Sequence, residues 1–335
     1  MKLTLLLPGL LWLDGHDGAD VCKGLELPAL QRLLGQGERA AGPAALSELL
    51  AAPWRGSAAG LARLRARQAG LPAEQGDWLL ADPVHVRVDR DRALLADIGV
   101  MSLSQAEAET LADAANRHFA DDGWRIHPLE PGRWLLQLDA PAAASFSPLP
   151  DVVGEDINAH LPQGERGLDW SRLLNELQML LYAHPLNDER EARGELGVNS
   201  LWLWGGGVEP GWREPAEQVF ADEDWLGWIA AEAGAPCLPA PYDFAGFVDQ
   251  AGGRDSLLAL DALQAAAQYR DAWGWREALQ RLERDWFAPL LQALRQGRID
   301  SLVLRAHGPS GLELKVRRND LWKFWKRPLP LSALY

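Results

Sequence analysis

Asn199-Ser200-Leu201-Trp202-Leu203-Trp204-Gly205-Gly206-Gly207 is the stretch on which the fold of this chain turns. A short apolar run bearing two indoles stops in three glycines. This is the pattern of a buried strand that delivers the backbone into a tight turn, where the lack of Cβ atoms permits positive φ and close approach. Just upstream lies His184-Pro185-Leu186-Asn187, followed by Arg190 and Arg193. The glycines do not form a nucleotide fingerprint, since neither Gly-x-Gly-x-x-Gly nor a terminal Gly-Lys-Ser/Thr occurs.

Outward from this strand, the pattern alternates. Leu3 to Leu7 reads as a buried strand, Leu27 to Leu34 as a short helix with Pro28 in its first turn, and Leu46 to Leu50 and Ala58 to Ala69 as helical pieces. From Trp78 the texture changes. Val84 to Asp89 alternates like a half-exposed strand, Leu94 and Leu95 mark another, and Ser104-Gln105-Ala106-Glu107 is a capping box opening a helix to about Ala120. Trp124 to Leu129 and Arg133 to Leu138 make a hairpin-like pair. Ala140 to Leu168 reads as a crossover loop and Leu168 to Ala183 as an amphipathic helix. Helices are expected at Trp225 to Ala233, Arg254 to Ala267 and Trp275 to Arg295, a loop with aromatic anchors at Asp243 to Phe247, and a late strand at Ile299 to Leu304. The whole predicts an α/β fold: a mostly parallel sheet between helices, formed by residues 1–77 and 150–335, with a small inserted α+β domain at 78–149.

A chain of 335 residues with a net charge of −14 and no long basic block makes nucleic acid or an anionic membrane a poor default partner, while leaving room for a small anionic ligand held by local arginines. Two cysteines, Cys22 and Cys237, make neither a disulfide framework nor a thiolate metal site. Pro8-Gly9 interrupts the apolar N-terminus and acidic residues follow, so a first strand is a better reading than a signal peptide, and a cytoplasmic location follows by elimination. Sixteen tryptophans, several in close pairs such as Trp225/Trp228, Trp273/Trp275 and Trp322/Trp325, are expected mainly to pack. Lys315 to Arg327 is basic and aromatic, a segment that could meet nucleic acid or an acidic partner or, more simply, serve self-association or dock Trp322 and Trp325 back onto the acidic body.

The run from Asn175 to Gly194, with His184-Pro185-Leu186-Asn187 and Arg190, followed by the strand ending Trp204-Gly205-Gly206-Gly207, resembles the archaeal-type cofactor-independent phosphoglycerate mutases of the alkaline phosphatase superfamily. It also resembles a proteobacterial mutase-like group that includes RpfE-type regulatory proteins. Arg87-Val88-Asp89, the helix at Ser104 and the strands around Trp134 are similar in order to that family's substrate-binding insert. The resemblance implies an alkaline-phosphatase-like sheet, two divalent metals and a phosphorylated serine. It also implies ligand contact by Arg87, His184, Asn187, Arg190 and Arg193 and by the backbone at Gly205, Gly206 and Gly207. Ser57, in Gly56-Ser57-Ala58, stands where the nucleophile is implied, although Ala58 replaces the expected aspartate. The first strand ends in Leu7-Pro8-Gly9 rather than at an aspartate, and the late strand is followed by His307-Gly308 without an Asp-His pair.

Residue by residue, bland alternatives stay open. Asp14, His16, Asp17 and Asp20 could hold one divalent ion or simply form a polar turn. His184 could contact a ligand or the carbonyls at a helix end. Arg87 could face the glycine turn and bind an anion, or face solvent. Taken together, these features predict a degenerate phosphoglycerate mutase-like scaffold with a non-catalytic ligand-binding or regulatory role and no cofactor. The first alternative is a metal-dependent mutase or phosphatase, using a metal such as Mn, with rearranged ligands drawn from the Asp14 to Asp20 turn and His160, His184 or His307. The second is a Trp-rich interaction scaffold.

Overall fold

The computed structural model describes residues 1–335 apart from Arg90, Asp91, Ile98 and Phe324. In chain order the strands are β1 (Lys2–Leu6), β2 (Glu38–Ala40), β3 (Asp77–Asp89), β4 (Arg92–Ala96), β5 (Trp124–Glu130), β6 (Arg133–Leu138), β7 (Ser200–Trp204), β8 (Gln218–Phe220), β9 (Cys237–Leu238), β10 (Ser256–Ala259), β11 (Ser301–Ala306) and β12 (Leu312–Arg317). The chain divides into two compact units, Met1–Ser57 with Gly211–Tyr335, and Ala58–Pro210.

The first unit holds a seven-stranded sheet in the order β2-β12-β11-β1-β10-β8-β9. β11, β1, β10, β8 and β9 run parallel, and β12 and β2 add antiparallel strands at one edge. Neighbouring residues of β1 point to opposite faces, yet Leu5 and Leu6 are both buried, so the sheet is covered on both sides. One face packs Leu3 and Leu5 with Leu30 and Leu33 of the helix Pro28–Gln36, Phe247 of the helix Phe244–Ala251, and Trp275 and Leu279 of the helix Ala272–Leu282. The Pro28 helix has no capping side chain of its own at Leu27. Instead the buried Glu283, which opens a π-helical turn over Glu283–Phe287, accepts the N–H groups of Ala29 (2.6 Å) and Leu30 (3.1 Å). A carboxylate there satisfies two orphan donors and complements the positive end of the helix.

The second unit is built on β3, whose 13 residues pair in turn with β6 (Asp77–Leu80), β7 (Leu80–Val84) and β4 (His85–Asp89), all antiparallel, with β5 beyond β6. Leu79, Ala81, Leu136, Leu201 and Leu203 pack against the helices Gln105–His118 and Gly167–Tyr182. The Ser104 capping box forms as expected. Phe119, Trp124 and Trp170 stack in a column, with ring centroids 4.5 and 5.5 Å apart.

Four expectations differ from the structure. The strand at 200–204 joins β3 rather than the parallel sheet, and the compact second unit reaches from Ala58 to Pro210 rather than over 78–149. Within the segment read as a helix from Arg254, Ser256–Ala259 is the strand between β1 and β8. Asp243–Phe247 is not a loop: Asp243 caps the helix Phe244–Ala251 by accepting the Gly246 N–H at 2.8 Å. The C-terminal segment docks on its own unit through Leu331, which is buried, and Tyr335, whose hydroxyl accepts the Trp12 N–H. Trp322 and Trp325 are exposed, at 73% and 68%, and Phe324 lies outside the described residues.

Candidate functional site

The glycine turn is a packing device. Gly205 and Gly207 have φ of +69° and +93°. A Cβ on Gly205 would lie 2.8 Å from Leu80 Cδ1, and one on Gly206 would lie 2.5 Å from Leu79 Cδ2, so side chains here would collide with β3. The carbonyls of Gly205 and Gly206 accept the N–H groups of Ala62 and Gly60, both at 3.0 Å, and so satisfy the start of the helix Leu61–Gln68. The cavity beside Gly207 is lined by Glu74, Asp77 and Glu209, with Arg63 as its single cation among the described residues. Three carboxylates against one guanidinium do not favour an anion.

The run from His184 to Arg193 is brought together, but around the protein's own groups. Asn187 is buried and behaves as a peptide mimic: its Oδ1 accepts the Val198 N–H (2.9 Å), and its Nδ2 donates to the carbonyls of Val198 (2.9 Å) and Leu181 (2.7 Å). Asn199 repeats the device one strand away, pairing both main-chain groups of Val86 at 2.7 and 2.9 Å. Arg190 is fully buried. Its Nε donates to the Leu196 carbonyl (3.0 Å), another nitrogen reaches the Ser102 carbonyl, and its guanidinium lies 3.1 Å from Glu107 and 3.4 Å from Glu195. Arg193 pairs with the same two carboxylates at 2.7 and 2.9 Å. Burial pushes the Glu107 carboxyl up, but hydrogen bonds from Ser104 and the Arg190 charge outweigh it and hold it down at about 2. His184 directly follows the helix Gly167–Tyr182, and its main-chain N–H donates to the Leu181 carbonyl in that helix's last turn at 3.0 Å. It also caps the start of the helix Pro185–Ala192, its Nδ1 accepting the Leu186 N–H at 3.2 Å.

Arg87 resolves to its solvent-facing alternative. It is exposed and pairs with Leu94, seven residues along β3 from the Leu80–Trp204 pair that begins the glycine turn. At about 3.3 Å per residue that is roughly 23 Å away. A group that sequence reasoning missed lies on the same strand: Asp82 is 1% exposed, accepts the Trp204 indole N–H at 2.8 Å and sits 3.7 Å from Arg133. Burial outweighs these partners and pushes its carboxyl up to about 6.

In the first unit, ligands are expected at the carboxyl ends of the parallel strands. β1 runs into Leu7-Pro8-Gly9, and β11 into His307, a buried imidazole held down to about 4 by burial, with no hydrogen-bond partner for Nδ1 among the described residues. Asp222 follows β8 and Asp261 follows β10; burial, and then the Asp222 charge, push the Asp261 carboxyl above its ordinary value. With Asp285 and Arg281 they line a cavity of about 280 Å³. Asp14 accepts the His16 N–H (2.9 Å) and Asp17 the Trp12 indole N–H (2.7 Å), while Asp20 and His16 are exposed. Ser57 is exposed, and its carbonyl accepts the Trp212 indole N–H at 3.1 Å. Among the described residues, no three His, Cys, Asp or Glu side chains are grouped to hold a metal ion. The donor set therefore does not fit the two divalent cations that the resemblance implies.

The class these sheets define is α/β, with a mostly parallel sheet in one unit and an antiparallel sheet in the other. Over aligned segments, the chain is 30% identical to the 2,3-bisphosphoglycerate-independent phosphoglycerate mutase of Methanosarcina mazei, covering 41% of this chain and 36% of that protein. It is 27% identical to mutase 2 of Methanothermobacter thermautotrophicus, covering 68% and 61%. The alignments thus span from about a third to about three fifths of these relatives, and over those segments the chain is phosphoglycerate-mutase-like. Superposition on the cofactor-independent phosphoglycerate mutase from Thermoplasma acidophilum DSM 1728 gives a TM-score of 0.43 at 17% identity, over 99% of this chain and 93% of that one. No family model matches the chain. Among the described residues, no helix is long and apolar enough to cross a membrane.

Proposed function

We propose that this protein is a phosphoglycerate mutase-like scaffold that has given up two-metal phosphoryl transfer and acts as a ligand-binding or regulatory protein, as the likeness to RpfE-type proteins implies. The strand ends carry this reading: where the relatives' chemistry calls for metal ligands there are Pro8-Gly9 after β1 and a lone buried His307 after β11, with no grouped third donor among the described residues. The arginines from the family-like run support it as well, because both are paired with Glu107 and Glu195.

One competing reading, a metal site rebuilt from other residues, would draw on Asp222, Asp261 and Asp285, which line one cavity. Assaying the purified protein with 2- and 3-phosphoglycerate and with a generic phosphomonoester, with Mn²⁺ added, separates the two. Turnover at background rate is expected. Metal-stimulated turnover that disappears in Asp261→Asn would establish the rebuilt site instead. A role as an interaction scaffold would rest on Trp273, Trp322 and Trp325, which are 80%, 73% and 68% exposed, and concentration-dependent sedimentation would reveal it.

A further inference from the structure

A cavity of about 340 Å³ lies within the second unit, between β7, the helix Gly167–Tyr182 and the segments around Ser147 and His160. Its size falls at the small end of the range for small-molecule sites. Three features set it apart from a packing defect. First, among the described residues no Lys, Arg, Asp or Glu lines it. Second, the helix borders the cavity with a face other than the one it buries, a face on which Gln178 is half-buried and Asn175 exposed. Trp170, Leu177 and Leu181 enter the core, whereas Ser171, Leu174, Asn175 and Gln178, spaced for a single face, border the cavity. Third, the polar groups differ in whether they are already engaged. The Trp202 indole N–H is bonded to the Ser147 carbonyl at 2.8 Å and His160 Nδ1 lies 3.2 Å from Ser147 Oγ. Among the described residues, the side-chain amides of Asn175 and Gln178 have no hydrogen-bond partner.

We propose that this cavity binds an uncharged planar heterocycle, a nucleobase or nucleoside. Trp202 and Phe146 supply aromatic surface, which suits any base because every base has a π-face. Each free amide offers both a donor and an acceptor, the combination that matches the paired donor and acceptor groups along a base edge. A phosphate finds no Lys or Arg among the described lining residues, so a nucleotide has to leave its charge outside or desolvate it unpaired. The proposal stands apart from the question of phosphoryl transfer, since none of these residues belongs to the strand ends of the other unit.

Titration calorimetry of the full chain against adenosine, guanosine, cytidine and uridine, and against their 5′-monophosphates, tests it. At least one nucleoside is expected to bind at one per chain, with its monophosphate at least tenfold weaker. Gln178→Ala and Asn175→Ala, at positions that support no core packing, are expected to weaken that nucleoside about tenfold each at unchanged melting temperature. Absence of binding by all four nucleosides overturns the proposal. So does a monophosphate that binds as well as its nucleoside, or nucleoside binding indifferent to both amide variants.

Discussion

Two polar regions of the second unit sit at neighbouring helices and meet opposite fates. Around Asn187, Arg190 and Arg193, polar groups are closed on one another: two arginines against two carboxylates, and an asparagine against the backbone at Leu181 and Val198. Along Asn175 and Gln178, uncharged amides border a cavity with no partner among the described residues. Resemblance to a catalytic family points at the first region, while unused hydrogen-bonding capacity points at the second. Sequence likeness can persist where residues have become structural, because a buried network is as costly to change as an active site.

The largest test of that contrast is Arg190→Ala. Removing the buried guanidinium leaves the Leu196 and Ser102 carbonyls without their partner and takes from Glu107 one of its two arginines, and a stability loss of about 3–5 kcal/mol in urea unfolding is expected. Asn187→Ala follows at about 2–3 kcal/mol, since it strips both main-chain groups of Val198. If either variant keeps full stability, the network is not structural and a ligand role for the run is restored.

The pH dependence sharpens the comparison because two carboxylates have opposite signs. Glu107 lies at about 2 folded against an ordinary 4.5, so its contribution is complete above about pH 4.5 and is lost as pH falls toward 2. Asp82 lies at about 6 folded against an ordinary 3.8, so its contribution is present below about pH 3.8 and is lost as pH rises through 6. Glu107→Gln is expected to flatten the acid limb of the stability profile, and Asp82→Asn to raise stability above pH 6 relative to the parent chain. The smallest effect is His184→Ala: loss of an N-cap acceptor, about 1 kcal/mol or less.

Much of the scaffold is legible in the sequence. The Ser104 box and the Trp124–Leu138 hairpin carry local signals that depend on a few adjacent residues, and both form. β10 is hidden because Leu257-Leu258-Ala259-Leu260 is uniformly apolar, which fits a buried strand and a buried helix equally well. β8, at three residues, has no period to read. The site is less legible. Nothing local pairs Arg190 with Glu107, or Asp82 with Trp204, because those partners are far apart in the chain and meet only through the tertiary fold. The Asn175–Gln178 face is a different case: its 3-4 spacing is visible, but the eye follows the leucines of the same helix to the core.

The proposal that this mutase-like scaffold does not assemble two metals is tested most directly by anomalous diffraction from crystals of the full chain soaked in Mn²⁺. The account predicts no pair of strong anomalous peaks at the carboxyl ends of β1, β8, β10 and β11. Two such peaks, a few ångströms apart and ligated by side chains from those strand ends, would contradict it.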